Sequence, residues 1–264
     1  RIGAFAYSAS LPSAKEATTV LENDVLKITV NNKGGYFEEV KLKQFTNYDS
    51  VPVYLIKDQN ALFNLNFGTT DSRILNTQDL YFQPTLTKSG DNQILSMKLK
   101  VSETQFLEYR YELKPNDYML GFTVKSQGLA NVINSSQDVR LEWKLKGRRQ
   151  AKSISYENRY TRLTYEHENG DKVSKLSQAG NDEEVETNVN WLSYRQHFFS
   201  SILLADKPFK TASLVSETLV LDEEVDTLYT KGYTASIPLQ LSAGELNESM
   251  SMYYGPTDGS ILKK

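Results

Sequence analysis

The sequence contains no cysteine. That absence excludes disulfides, thiolate metal sites and a cysteine nucleophile together. It leaves the compartment open, because reducing and oxidising surroundings both tolerate a thiol-free domain. Histidine is nearly absent, with two residues. No run approaches the roughly 20 apolar residues of a membrane span. Neither sign of charge dominates: the formal net charge is −3, so no nucleic-acid partner is expected. Nucleophile elbow, P-loop, dinucleotide fingerprint, H-E-x-x-H and calcium-loop motifs are all missing, and no cofactor is expected.

What is present favours strands. Sixteen Tyr and eleven Phe stand among many Val and Thr, residues suited to pleated, half-buried surfaces. Apolar residues recur with a period of two. Leu26, Ile28 and Val30 alternate with Lys27, Thr29 and Asn31. The same pattern holds for Phe63–Phe67, Leu95–Val101, Leu107–Leu113, Tyr118–Val124 and Val139–Leu145. Strict alternation predicts antiparallel strands with one dry face and one wet face. Hairpin-type turn signals punctuate them at NNKGG (31–35) and ENGD (168–171), KSGDN (88–92) and SAGE (242–245) do similar work, and KPND (114–117) supplies a turn. Roughly fifteen short strands are too many for one open sheet and predict a large antiparallel β-sandwich with few short helices. A short helix is expected within residues 1–17, with PSAKEA (12–17) as its signal, and WLSYRQHFF (191–199) reads as strand or irregular lead-in despite its helical spacing. NDEEVETN (181–188) reads as a solvated acidic loop, and no domain boundary is evident.

Candidate chemistry is sparse. His167, in YEHEN, has Glu166 and Glu168 on the opposite face of its strand, so the three do not converge on a metal; it reads as a surface residue. His197 sits among aromatics and reads as a hydrogen-bonded, partly buried side chain. The acidic pairs Glu38–Glu39, Glu183–Glu184 and Asp222–Glu224 are adjacent in sequence, whereas glycosidases need two carboxyls facing across a cleft. The densest basic stretch is KLKGRRQAK, with Arg148, Arg149 and Lys152. It reads as a solvated sheet edge, with a patch for anionic lipid headgroups as the alternative. NSS at 134 and NES at 247 match the glycosylation sequon but carry little weight.

Four stretches in register resemble one family. They are TVLENDVLKITVNNKGGYFEEVKLKQF (19–45), EWKLKGRRQAKSISYENRYTRLTY (142–165), VNWLSYRQHFFSSILLAD (189–206) and MYYGPTDGSILKK at the tail. Together they resemble the large first periplasmic domain of the YidC insertases, members of the Oxa/YidC/Alb family, in their Bacteroidetes branch. The match includes Lys33-Gly34-Gly35, Trp191, Gln196 and the Phe198–Phe199 pair. One departure is Gly259, where the family commonly carries Tyr. The resemblance implies a β-supersandwich similar to galactose mutarotases. It implies residues 1–17 as a linker following a transmembrane helix, 18–256 as the sandwich, and 257–264 as the start of a helix leading to the next transmembrane segment. In that tail Asp258 is the expected N-cap, and Ile261 and Leu262 begin an apolar stripe.

The resemblance also implies a function: a non-catalytic domain at the bacterial inner membrane, exposed to the periplasm. It would assist membrane-protein insertion by offering surfaces to the Sec translocon (SecYEG, SecDF) and to nascent membrane proteins. Candidate partner- or membrane-contacting residues are Arg148, Arg149 and Lys152, and Ile261, Leu262, Lys263 and Lys264 of the tail. Two alternatives stand beside this reading: a carbohydrate- or polymer-binding sandwich related to mutarotases, and a generic cell-envelope adhesin.

Overall fold

Every alternating segment is a strand in the computed structural model, which describes residues 1–258 and 260–263. Strands β1 (Thr18–Glu22), β2 (Leu26–Asn31), β3 (Phe37–Thr46) and β4 (Pro52–Ile56) form a four-stranded antiparallel sheet in chain order. The Lys-Gly-Gly turn joins β2 to β3. Gly34 and Gly35 have φ of 83° and 64°, a conformation that costs glycine little.

A second sheet takes the other thirteen strands. These are β5 (Ala61–Gly68), β6 (Ile74–Asn76), β7 (Gln83–Ser89), β8 (Asn92–Lys100), β9 (Phe106–Leu113), β10 (Met119–Gln127), β11 (Val139–Arg148), β12 (Arg162–His167), β13 (Lys172–Lys175), β14 (Asp182–Arg195), β15 (Phe199–Thr218), β16 (Tyr229–Leu239) and β17 (Asn247–Pro256). The order is β6-β5-β11-β16-β15-β17-β10-β9-β8-β7, with β14, β12 and β13 branching from β15. The 20-residue β15 makes this continuity possible. Its first part, Phe199–Ala205, pairs with β17, and its last part, Ser213–Thr218, pairs with β16. Between them the register against β14 shifts between Val189 and Trp191. Asp206, Lys207 and Pro208 are exposed there, and proline has no N–H to give a ladder.

The dry faces of the two sheets meet. Leu26, Ile28, Val30, Val40 and Leu42 from the small sheet share one buried cluster with Leu95, Met97, Tyr109, Tyr111, Phe122 and Tyr254 from the large one. Tyrosine is usable here because each hydroxyl finds a partner. Tyr36 and Tyr254 hydroxyls lie 2.8 Å apart, Tyr111 donates to the Gly35 carbonyl at 2.7 Å, and Tyr194 donates to the Trp143 carbonyl at 2.7 Å.

Four local expectations are corrected. The N-terminal helix is not PSAKEA but a 3-10 turn at Gly3–Phe5 running into α1 (Ala6–Ala9), because Phe5 is the anchor, buried edge-on against Phe67. NDEEVETN is not a loop: it is exposed, but it is the first half of β14, paired with β15 from Asp182↔Ser216 onward. The basic strand β11 is not an edge; it lies between β5 and β16. SAGE is a turn that links β16 to β17 without pairing them, since β15 lies between the two. A further helix, α2 (Ile154–Tyr160), was not anticipated. Its seven residues are too few for a periodic stripe, and its one local signal is Ser153, whose Oγ accepts the Tyr156 N–H at 3.2 Å.

The turn glycines provide a test of this packing. A Cβ on Gly35 would meet the Phe82 ring at 2.9 Å, whereas one on Gly90, also at positive φ, meets nothing. Gly90→Ala should therefore cost about 1 kcal/mol from backbone strain alone, and Gly35→Ala roughly 2–4 kcal/mol with overpacking added. Urea denaturation of both variants measures the difference, and equal losses would show that Phe82 does not constrain the turn.

Candidate functional site

The basic stretch lies where β11 ends, and the structure engages two of its cations internally. Arg148 pairs with Asp58 at 3.1 Å, and Arg149 lies 3.9 Å over the Tyr48 ring. Lys152 is exposed just before α2. Helix α2 holds this end together through one carboxylate. Glu157 is fully buried and accepts the N–H of Gln150 at 2.7 Å and of His197 at 2.9 Å. Two backbone donors can stabilise a carboxylate that burial would otherwise penalise. Beside it, the buried Lys231 donates from Nζ to Asn158 Oδ1 at 2.6 Å.

The tail takes a different position. Asp258 Oδ1 accepts the Ser260 N–H at 2.9 Å, as an N-cap does, and a 3-10 turn follows at Ile261–Lys263. Ile261 and Leu262 are half-buried against Trp191, Ile202 and Tyr253, a cluster separate from the main core. These residues share a sheet face because Tyr253 pairs with Ile202 and Trp191 with Leu204 across β17, β15 and β14. The tail therefore covers an apolar strip on the outer face of the large sheet, about which sequence periodicity is silent. Gly259 and Lys264 lie outside the described residues.

Farther along that outer face, β9, β10 and β17 form a shallow groove of about 350 Å³. Arg110, Glu112, Gly121, Thr123 and Ser251 line it, and Gly121 floors it because it has no side chain. A second groove of about 410 Å³ opens at the β2–β3 turn, lined by Tyr36, Phe37, Phe63 and Gln78 among others. Neither groove is lined by a histidine.

His167 is not on the surface, as its flanking charges suggested. It is buried, with Nε2 2.8 Å from Ser174 Oγ and Nδ1 3.0 Å from Glu186 Oε2. Glu186 also accepts from the Tyr165 hydroxyl at 2.8 Å. Hydroxyl, imidazole and carboxylate are neighbours on one branch of the sheet, but Nδ1 makes no hydrogen bond to Glu186, so they do not form the relay of a nucleophilic triad. His197 is half-buried, stacked on Tyr160 at 4.6 Å and tilted against Phe198 at 3.9 Å.

Fold and site together define a class: a mutarotase-like β-sandwich that presents shallow surface grooves. Solved structures agree on the fold. A galactose mutarotase-like protein from Lactobacillus casei superposes with a TM-score of 0.52 at 13% identity, covering 91% of this chain and 100% of that one. An α-mannosidase from Enterococcus faecalis gives 0.52 at 11%, covering 94% of this chain and 30% of its own. The sequence identifies the family. Residues 18–264 match the model of the YidC periplasmic domain, and the chain belongs to that family. The membrane protein insertase YidC of Parabacteroides distasonis is 33% identical over 94% of this chain and 38% of its own length. That of Porphyromonas gingivalis is 31% identical over 97% of this chain and 40% of its own. The chain thus spans about two fifths of the curated relatives it matches.

Two sets of buried groups set the alkaline behaviour. Loss of hydration pushes the Lys231 amine down to about 8, so the folded chain resists its charged form. Stability then rises with pH from about 8 toward the ordinary lysine range. The hydroxyls of Tyr111, Tyr194, Tyr233 and Tyr254 are pushed well up by burial, and that of Tyr36 to about 12. Above ~10 the unfolded chain ionises first and stability falls. Chemical denaturation against pH should show a maximum between these limits. Lys231→Met should remove the rise, of order 1–2 kcal/mol, and leave the alkaline fall in place. A variant that keeps the rise would assign it to another group.

Proposed function

We propose that the chain is the periplasmic domain of a YidC-type membrane protein insertase, that it performs no catalysis itself, and that it works by contact. The family match across residues 18–264 carries this reading. The other three fifths of such a protein would hold the insertion machinery. Residues 1–17 would follow one transmembrane helix and lie in the periplasm, and the turn at Ile261–Lys263 would lead into the next membrane segment. The reported grooves and edges support a contact role. Extended peptides dock in shallow grooves or add to free strand edges, and β7 is an edge strand whose residues are largely exposed. Segments of SecYEG, SecDF or nascent membrane proteins are the partners that fit. A sugar-binding role inherited with the fold has less support, because fold does not carry function and anomeric chemistry needs an acid and a base facing one site.

The groove over Gly121 is the place to test. A Cβ there meets nothing closer than 3.8 Å, so a large side chain can fill the groove without disturbing the core. Gly121→Trp in the full-length protein should lower co-purification of Sec components by about tenfold, the effect of blocking one anchor site, with unchanged Tm. Undiminished recovery would remove this groove from the reading.

A further inference from the structure

The apolar side chains left in water are not scattered. Twelve large hydrophobics are exposed among the described residues, and eight of them lie on loops at the end where β17 finishes. Tyr48 and Val51 are in the β3–β4 loop, Tyr156 and Tyr160 on α2, and Phe198 in the β14–β15 turn. Leu221, Val225 and Leu228 are in the β15–β16 loop. Backbone hydrogen bonds tie these loops into one surface. Tyr48 N–H donates to the Gln150 carbonyl at 3.1 Å, Arg149 N–H to Leu228 at 2.8 Å, and Thr257 N–H to Phe198 at 2.8 Å. The last bond places the outgoing chain against the patch. The four other exposed hydrophobics sit apart, on β6, β7, β13 and β14.

The aromatic part of this surface is paired with cations. Arg149 lies over Tyr48, and Arg159 lies 5.2 Å over Tyr156. Lys152 is exposed in the segment that leads into α2. Rings with a polar tip, flanked by long cationic stems, suit the headgroup layer of a bilayer, where one end is apolar and the other wet. The surface is built from four separate segments, the β3–β4 loop, α2, the β14–β15 turn and the β15–β16 loop, the last of which also borders a cavity of about 320 Å³. A protein partner needs shape complementarity across such a surface; a fluid bilayer does not.

We infer that the α2 end of the domain rests on a phospholipid bilayer. Tyr48, Tyr156, Tyr160 and Phe198 enter the headgroup zone, and the exposed Lys152 and Arg159 meet phosphates. This rests on the reading that the chain passes into a membrane segment beyond its tail. The exposed Asp49, Asp222, Glu223 and Glu224 of these loops oppose anionic lipid, so burial of the aromatic rings supplies the main attraction and added salt weakens it little.

The test uses the full-length protein in a background free of other cysteines, reconstituted in vesicles of phosphatidylethanolamine and phosphatidylglycerol. Nitroxides are attached through Tyr156→Cys or, as a control, through Ile74→Cys on β6. The expected result is that oxygen relaxes the label at 156 more than a water-soluble nickel chelate does, and that the ratio is reversed at 74. Adding Tyr160→Ser and Phe198→Ser should return the label at 156 to water. Equal water access at both positions overturns the inference. So does protection at 156 that develops only after SecYEG or SecDF is added, since the occupant is then a protein. Extraction of the full-length protein from membranes by alkaline carbonate would instead sink the membrane-tethered reading, whatever the labels report.

Discussion

One strand with two partners holds the large sheet together. Strand β15 gives its first part to β17 and its last part to β16, with an exposed bulge ending in Pro208 between them. Without that change of partner, β6-β5-β11-β16 and β17-β10-β9-β8-β7 would be two sheets with four unprotected edges. Strand β14 follows β15 along both parts and makes the bulge a local bend rather than a break. Bulges raise local twist, and a thirteen-stranded sheet needs twist to wrap a four-stranded one. The aromatic core depends on that wrapping. Tyr36 of the small sheet's hairpin reaches Tyr254 of the large sheet only because the sheet curves over it.

A second constraint acts at one end. Buried Glu157 accepts from two segments that are far apart in the chain, at Gln150 and His197. Removing it would leave two buried donors unpaired, each costing about 1–3 kcal/mol. The same carboxylate fixes α2, and so fixes where Tyr156 and Tyr160 point. The strands supply rigidity, the loops at this end supply contact, and one buried charge connects the two.

The neighbours in fold act on sugars by name, yet the titratable groups here take structural places. His167, Ser174 and Glu186 lie together inside a branch of the sheet, joined by the His167–Ser174 hydrogen bond and the close approach of Glu186, and neither groove includes them. Chemistry at a sugar's anomeric carbon requires groups that face a shared cavity. The tail behaves in the same economical way. Ile261 and Leu262, which could equally face lipid, cover a strip formed by Trp191, Ile202 and Tyr253.

Much of this was legible from residues alone. The period of two in Leu107–Leu113 or Val139–Leu145 fixes which face is dry, because side-chain direction in a strand is a local property. The turns at Gly34–Gly35 and Gly90 were legible for the same reason, since positive φ is a single-residue cost. The family was legible because four separated stretches keep their order. Tertiary structure alone decided that β11 is internal and that NDEEVETN is a strand, because pairing partners lie far away in the chain. It also decided that His167 is buried, and that Tyr48, Tyr156, Tyr160 and Phe198 share one surface. Local sequence sets the conformation and polarity of each segment; which segments meet depends on the packing that brings the dry faces of both sheets together, because those contacts join residues far apart in the chain.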